Sequence, residues 1–169
     1  MTAISKQEFA AMPVEFKLNG KDVVGYGHET IIQTAKRLGV DIPHLCYKDG
    51  LRPDGNCRAC MVEIKGERVL APSCCRQPTA GMEVSSDSAR AVASQKMVLE
   101  LLLSDMPRER HTLNSELDHW AARLKVGKPR FTARHQPKAD LSHFGMAVNL
   151  DSCIQCTRCV RACREEQVN

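Results

Sequence analysis

Two groups of cysteines constrain the fold of this chain more than any other feature of its sequence. The 169 residues include nine cysteines, and none lies between Cys75 and Cys153. The first group has the spacing C-x10-C-x2-C-x13-C with one more cysteine directly after it, and the second has the spacing C-x2-C-x2-C-x3-C. Thiolates at such spacings converge on metal centres, so the backbone between them must fold around the centre that they hold.

Disulfide bonds are the other common use of so many cysteines, but they belong to oxidising compartments. The first residues, MTAISKQEFAAMPVEF, contain no apolar signal-peptide core and no twin arginine, and no stretch approaches membrane-spanning length. We therefore expect a cytoplasmic protein without membrane contact. The formal net charge of +4 arises from scattered basic residues mixed with acidic ones, which does not indicate nucleic-acid binding.

The pattern of apolar and turn residues before residue 88 predicts an α+β fold. The segment Val14 to Tyr26 predicts two strands joined at Asn19-Gly20, a strong two-residue hairpin signal. HETIIQTAKRLGV then predicts a helix with a glycine stop, and a long irregular loop follows it. MVEIKGERVLAPS predicts another hairpin about Gly66, and MEVSSD predicts a last short strand. This order of elements is typical of a β-grasp domain.

Two helices are predicted after this domain. The first is capped by Ser88 and ends at Pro107, and the second runs from about Leu113 to Leu124. The basic stretch KVGKPRFTARHQPKADLSHFG, interrupted by two prolines, predicts a linker or surface loop. The residues expected to form the apolar stripe of the first helix are Val92, Met97, Val98, Leu101 and Leu102.

The first cysteine group favours a [2Fe–2S] cluster, which needs four thiolates converging on two irons. The expected ligands are Cys46, Cys57, Cys60 and Cys74. A Cys-x-x-Cys pair can place both sulfurs on one iron, in which case Cys46 and Cys74 hold the other. A structural zinc site is the alternative, although zinc modules usually show two close pairs. Cys75 is expected to pack rather than to bind, because adjacent side chains point in different directions.

The second cysteine group indicates [4Fe–4S] chemistry. At this spacing Cys153, Cys156 and Cys159 hold one cubane cluster, whereas Cys163 points to a neighbouring cubane. Arg164 stands where a proline usually follows, which is tolerable because proline is not a ligand. Zinc is again the alternative, but four cysteines within eleven residues would crowd one tetrahedral ion.

Two complete cubanes would require four more cysteines than this segment provides. We therefore expect the chain to be the N-terminal part of a longer polypeptide, with a matching cysteine run beyond Asn169. The predicted organisation is a β-grasp [2Fe–2S] ferredoxin-like domain over residues 12–87 and a helical connector over 88–126. A linker loop follows over residues 127–145. The last predicted segment, over 146–169, is the incomplete start of a bacterial-type [4Fe–4S] ferredoxin domain.

The segment IPHLCYKDGLRPDGNCRACMVEIKGERVLAPSC resembles the N-terminal [2Fe–2S] domain shared by three kinds of oxidoreductase subunit. These are the large iron–sulfur subunit of respiratory complex I, the [FeFe]-hydrogenases and the catalytic subunit of cytosolic NAD-dependent formate dehydrogenases. In many such proteins a histidine and three cysteines after the LLLS helix bind a further [4Fe–4S] cluster. Here LLLSDMPRERHTLNSELDHW offers only His111 and His119. This departure favours the formate dehydrogenase branch.

That resemblance implies an electron relay within a formate dehydrogenase. A molybdenum or tungsten bis-pterin site would lie in the rest of the subunit, and electrons from formate would pass through cubane clusters to the [2Fe–2S] cluster. They would leave to a flavin- and NAD-binding diaphorase-type subunit. These residues contain no nucleophile–base pair, phosphate-binding loop or pterin segment, so we expect no catalytic site here. The alternatives are a complex I-like or hydrogenase relay segment and a zinc-stabilised interaction module.

Single histidines are more often surface or packing residues than metal ligands. We therefore expect no ligand role for His111, His119, His135 or His143. His44, two residues before Cys46, could hydrogen-bond near the cluster and tune its potential, but a partly exposed loop histidine is the stronger expectation.

Overall fold

A five-stranded mixed sheet forms the first half of the molecule in the computed structural model, which describes residues 12–107, 114–136 and 138–167. The strands are β1 (Pro13–Leu18), β2 (Lys21–Tyr26), β3 (Met61–Ile64), β4 (Ala71–Pro72) and β5 (Glu83–Ser85). Their order across the sheet is β2-β1-β5-β3-β4. Only the β1–β5 pairing is parallel; the other pairs are antiparallel. The predicted hairpins about Asn19-Gly20 and Gly66 are both confirmed.

The turn between β1 and β2 is also hydrogen-bonded to the end of the central strand β5. Asn19 and Gly20 have φ angles of +50° and +78°, as a tight two-residue turn requires. The Asn19 side chain accepts a hydrogen bond from the Ser86 backbone N–H at 2.8 Å and donates to the Ser86 hydroxyl at 2.9 Å. Since Ser86 directly follows β5, one asparagine joins the hairpin turn to the central strand.

Helix α1 (Ile31–Arg37) covers one face of the sheet with buried side chains. Glu29, just before the helix, accepts hydrogen bonds from the Thr34 hydroxyl at 2.9 Å and the Arg37 guanidinium at 2.8 Å. The bond from Arg37 lowers the pKa of the Glu29 carboxyl. The buried residues of this first core are Phe16, Leu18, Ile31, Ile32, Ala35, Ile42, Tyr47, Cys60, Val62, Ile64, Ala71, Cys74, Met82 and Val84.

Two further helices, α2 (Ala89–Ser104) and α3 (Glu116–Arg123), pack together beside the sheet. Ser88 caps α2 as predicted, because its hydroxyl accepts from the Ala91 N–H at 3.2 Å. The predicted apolar stripe of α2 is wrong in part. Met97 and Leu101 are exposed, whereas the buried residues are Ala91, Gln95, Leu99, Glu100 and Ser104.

The rest of the chain forms a hairpin and a short helical turn. The hairpin consists of β6 (Asp140–His143) and β7 (Met146–Val148), and every residue in both strands is exposed. It lies across the predicted boundary between the linker and the last segment, where the apolar pattern predicts no strand. Helix α4 (Arg158–Arg161) continues into a π-helical turn, Ala162–Glu166. The division into four parts stays a prediction.

A second apolar core links these parts. Its buried members are Leu45, Ala59, Leu99, Leu117 and Trp120, and Ile154 from the second cysteine segment packs against it. Leu45 and Ala59 belong to the long loop between α1 and β3, so this loop is held between the two cores. In the described part of the chain, no helix has both the length and the apolar character needed to cross a membrane.

Candidate metal centres

The loop between α1 and β3 carries three cysteines of the first group, and the fourth follows β4. Cys46, Cys60 and Cys74 have at most 1% of their surface exposed, and Cys57 is half-buried. The Ser73 hydroxyl donates to the Cys60 carbonyl at 2.8 Å, which fixes Cys74 beside Cys60. The fold thus brings together all four predicted ligands of this group from positions that span 29 residues of sequence.

Hydrogen bonds among these thiols shift their proton affinities in opposite directions. Bonds from the Cys57 and Cys74 thiols hold the pKa of Cys46 well below its usual range. A bond from Cys74 lowers the pKa of Cys60 to about 7. Donating these bonds raises the pKa of both Cys57 and Cys74. The hydrogen bonds therefore favour the thiolate form at Cys46 and Cys60, and the thiolate is the form that binds metal.

The contacts link the four sulfurs in one connected set rather than in two separate pairs. Cys46 bonds to Cys57, whose Sγ also accepts from the Cys46 N–H at 3.4 Å, and Cys74 bonds to both Cys46 and Cys60. The arrangement predicted from the sequence places Cys57 and Cys60 on one iron and Cys46 and Cys74 on the other. The assignment of ligands to irons stays a prediction.

Cys75 is exposed rather than packed, which corrects the expectation from the sequence. Its Sγ lies 3.5 Å from the Sγ of the fully buried Cys74. Gly55 passes so close to it that a Cβ at this position would stand 2.9 Å from the Cys75 Sγ. The missing side chain of Gly55 lets the loop close over the four thiols.

The second cysteine group lies on an open turn that leads into α4. Cys153 and Cys156 are half-buried, whereas Cys159 and Cys163 are exposed. Gln155 and Thr157 have φ angles of +54° and +60°, which curls the backbone between the first three cysteines. The Gln155 N–H points to the Cys153 Sγ at 3.4 Å. Cys159 lies in α4 and Cys163 in the π-helical turn.

The first group fits an iron–sulfur cluster by its donor chemistry, and the second supplies four thiols of the same kind. In residues 12–107, 114–136 and 138–167, no three or more His, Cys, Asp or Glu side chains are arranged to hold a single metal ion. The first group offers four thiols that hydrogen-bond to one another, three of them buried, with a backbone N–H group directed at sulfur. Four thiolates around a larger, bridged centre are what a [2Fe–2S] cluster requires.

The second cysteine segment is hydrogen-bonded directly to the loop that carries the first cysteine group. The Asn56 side chain donates to the Thr157 hydroxyl at 3.2 Å, and the Arg158 guanidinium donates to the Tyr47 carbonyl at 2.9 Å. The guanidinium of Arg161 is buried in the same interface. Reasoning from the sequence missed both arginines; their only signal is their place within the motif CTRCVRAC.

The described histidines take packing and surface positions, and the absence of a ligand role for them stays a prediction. His44 is hydrogen-bonded to the Ile42 carbonyl at 2.8 Å, and its ring packs against Tyr47 and Trp120. His119 also packs against Trp120, and His135 is exposed. The exposed His143 accepts from the Gly145 N–H at 3.1 Å. His111 lies outside the described residues.

Comparison with known families gives a match over the first half of the chain. Residues 11–89 match the family described as "2Fe-2S iron-sulfur cluster binding domain". One chain of a solved structure of an NAD+-reducing [NiFe]-hydrogenase, in the H2-reduced state, superimposes with a TM-score of 0.80 at 26% sequence identity. The similarity covers 90% of this chain and 67% of that one.

Curated relatives are subunits of larger oxidoreductases. The chain is 34% identical over 163 residues to the NADP-reducing hydrogenase subunit HndD of Solidesulfovibrio fructosivorans, covering 89% of this chain and 27% of that protein. It is 33% identical over 155 residues to the mitochondrial NADH-ubiquinone oxidoreductase 78 kDa subunit of Candida albicans, covering 88% of this chain and 22% of that protein. The chain therefore spans about a quarter of the length of these relatives.

Proposed function

We propose that this chain is an electron relay within an oxidoreductase subunit, because residues 11–89 match the family described as "2Fe-2S iron-sulfur cluster binding domain". The single observation that supports this proposal best is the convergence of four thiols in one largely buried site. These residues are Cys46, Cys57, Cys60 and Cys74. A [2Fe–2S] cluster bound there would supply one-electron transfer. The chain's own part is to hold the thiolates, exclude water and direct N–H groups at sulfur.

The contrast between Cys74 and Cys75 tests the first site. We expect C74S to lose the [2Fe–2S] signal in the electron paramagnetic resonance spectrum of the reduced protein, together with two irons and two sulfides. C75S, the matched control at the neighbouring position, should keep all of them, because its side chain is exposed. A colourless wild-type protein with stoichiometric zinc would instead establish the interaction module.

The second cysteine group extends the relay. Cys153, Cys156 and Cys159 would hold three irons of a [4Fe–4S] cluster, and Cys163 one iron of a further cubane. The direct bonds from Asn56 to Thr157 and from Arg158 to Tyr47 support electron transfer between the groups, because they hold the two sites next to each other.

We assign the relay to an NAD-dependent formate dehydrogenase of the cytoplasm. The supporting observation is the absence of any cysteine between Cys75 and Cys153, where many hydrogenase and complex I subunits bind another cluster. Formate would be oxidised at a molybdenum or tungsten bis-pterin in the rest of the subunit. The electrons would leave through the [2Fe–2S] cluster to a flavin- and NAD-binding diaphorase-type subunit.

A complex I-like or hydrogenase subunit is the second candidate. It is favoured by the relatives themselves, which are a hydrogenase subunit and a ubiquinone oxidoreductase subunit. The two candidates share the relay and differ in the electron donor.

Anaerobic reduction of the complex purified from its host separates these candidates. We expect formate to bleach the visible cluster absorption within seconds, and NADH to bleach it from the other end of the relay. Molybdenum or tungsten should be present in stoichiometric amount. Bleaching by H2 but not by formate would establish the hydrogenase assignment, and bleaching by NADH alone would favour a complex I-like subunit.

A further inference from the structure

Arg161 is the least expected residue in the interface between the two cysteine segments. It stands between Cys159 and Cys163 at the end of α4, yet its side chain has no exposed surface. A guanidinium is permanently charged, and burying one is costly unless its N–H groups and its charge find partners. The structure shows which partners these are.

The guanidinium of Arg161 donates to backbone carbonyls from both cysteine groups. One terminal nitrogen, Nη2, donates to the carbonyl of Cys46 and, at 3.4 Å, to that of Cys156. The other, Nη1, donates to the Arg52 carbonyl at 2.6 Å. A single planar fork thus joins one predicted ligand of each cluster through its main chain.

Within the described residues, the remaining contacts bring Arg161 one partial counter-charge. Its Nε donates to the Thr157 hydroxyl at 3.2 Å and lies 3.6 Å from an Asp54 carboxylate oxygen. The Asp54 side chain is 30% exposed and also accepts from the Thr157 hydroxyl at 3.0 Å. Carbonyls satisfy N–H groups but carry no net charge. The fold therefore places a buried positive charge between two sites that would each be anionic when loaded with iron and sulfide.

We propose that Arg161 is a positioning residue that holds the two cluster sites at a fixed separation and raises the reduction potential of both. The inference rests on the proposed function, because it requires a cluster at each site. Reduction adds one negative charge to a cluster, and a nearby buried positive charge stabilises that added charge. The same guanidinium acts on both clusters because it donates hydrogen bonds to main-chain carbonyls of both cysteine groups.

The test is redox titration of R161Q, R161K and D54N in the purified complex, followed by electron paramagnetic resonance. We expect R161Q to shift the midpoint potentials of both clusters downward. D54N keeps a hydrogen-bond acceptor but loses the counter-charge, so both potentials should shift upward. R161K keeps the charge without the planar fork. Its potentials should lie nearer the wild-type values, while the magnetic interaction between the two reduced clusters weakens.

R164Q is the matched control, because Arg164 lies in the adjoining turn with a side chain that is 59% exposed. Solvent screens such a charge, so neither potential should move. Opposite shifts in R161Q and D54N cannot come from general damage to the fold. If R161Q fails to assemble, the test rests on D54N. Midpoint potentials that stay constant or fall in D54N would overturn the inference.

The wild-type protein separates the two possible failures. Two distinct cluster signals with unshifted potentials in D54N and R161Q would overturn the inference and leave the relay intact. A wild-type protein that lacks the second cluster signal would refute the proposed relay between two clusters, and the inference with it.

Discussion

Gly55 shows how one residue can govern closure of the first cysteine site. Its φ angle of +63° lies in the left-handed region, and a Cβ would stand 2.9 Å from the Cys75 Sγ. Gly50, in the same loop, has a φ angle of +90° but no atom within 4 Å of the corresponding Cβ position. The two glycines therefore share the backbone strain of substitution and differ in the steric contact.

We predict that G55A lowers the thermal midpoint of cluster bleaching by more than G50A does. G50A should cost roughly 1–2 kcal/mol for a left-handed alanine, whereas G55A also displaces the Cys75 side chain and the neighbouring Cys74. Adding C75A to G55A should recover the excess loss. Equal effects of G50A and G55A would show that the contact with Cys75 has no energetic consequence.

Hydrogen bonds of a buried polar residue, and not the apolar residues alone, decide which face of α2 is buried. Gln95 is 1% exposed because its amide donates to the Met61 carbonyl at 2.9 Å and to the Ser86 carbonyl at 3.1 Å. These carbonyls belong to the start of β3 and the residue after β5. The helix is thus oriented by hydrogen bonds to the sheet, which turn Met97 outward.

We predict that Q95L destabilises the protein and that M97A does not. Loss of the amide leaves two carbonyls without their partner, at roughly 1–3 kcal/mol, whereas truncation of an exposed methionine should change stability by about 0.5 kcal/mol or less. The measurement is chemical unfolding followed by circular dichroism at 222 nm. A larger loss in M97A than in Q95L would restore the stripe predicted from the sequence.

At the scale of the whole molecule, the second core connects the two cysteine segments. Trp120 on α3 belongs to the same apolar cluster as Leu45, next to Cys46, and Ile154, next to Cys153. Neither neighbouring cysteine is close to α3 in sequence. We therefore expect the stability of the two candidate metal centres to be coupled through α3, which contains none of the predicted cysteine ligands.

We predict that W120A weakens both centres together. Removal of this indole should cost roughly 3–5 kcal/mol, and both cluster signals should be lost at the same lower temperature. V69A is the control, since Val69 is 59% exposed in the sheet domain. Loss of the second signal alone in W120A would mean that the core does not extend its support to the first site.

The cysteine spacing and the turn residues were sufficient to predict much of this protein, because their information is local. The hairpin at Asn19-Gly20 depends on the φ angles that these residues tolerate, and the start of α2 depends on one hydroxyl at Ser88. The gathering of the first four thiols was expected from spacing alone. The hydrogen bonds among these thiols were not, because they depend on how β4 brings Cys74 beside Cys46 and Cys60.

The tertiary structure alone decided which residues far apart in the sequence are in contact. The bond from Arg161 to the Cys46 carbonyl spans 115 positions, and the bond from Gln95 to Met61 spans 34. The residues on either side of an arginine or a glutamine do not indicate whether its side chain is buried or exposed. The sequence by itself determined the donor chemistry of the two centres and the main strands and helices around the first. Their distance, burial and shared arginine required the folded chain, because burial depends on which distant surfaces meet.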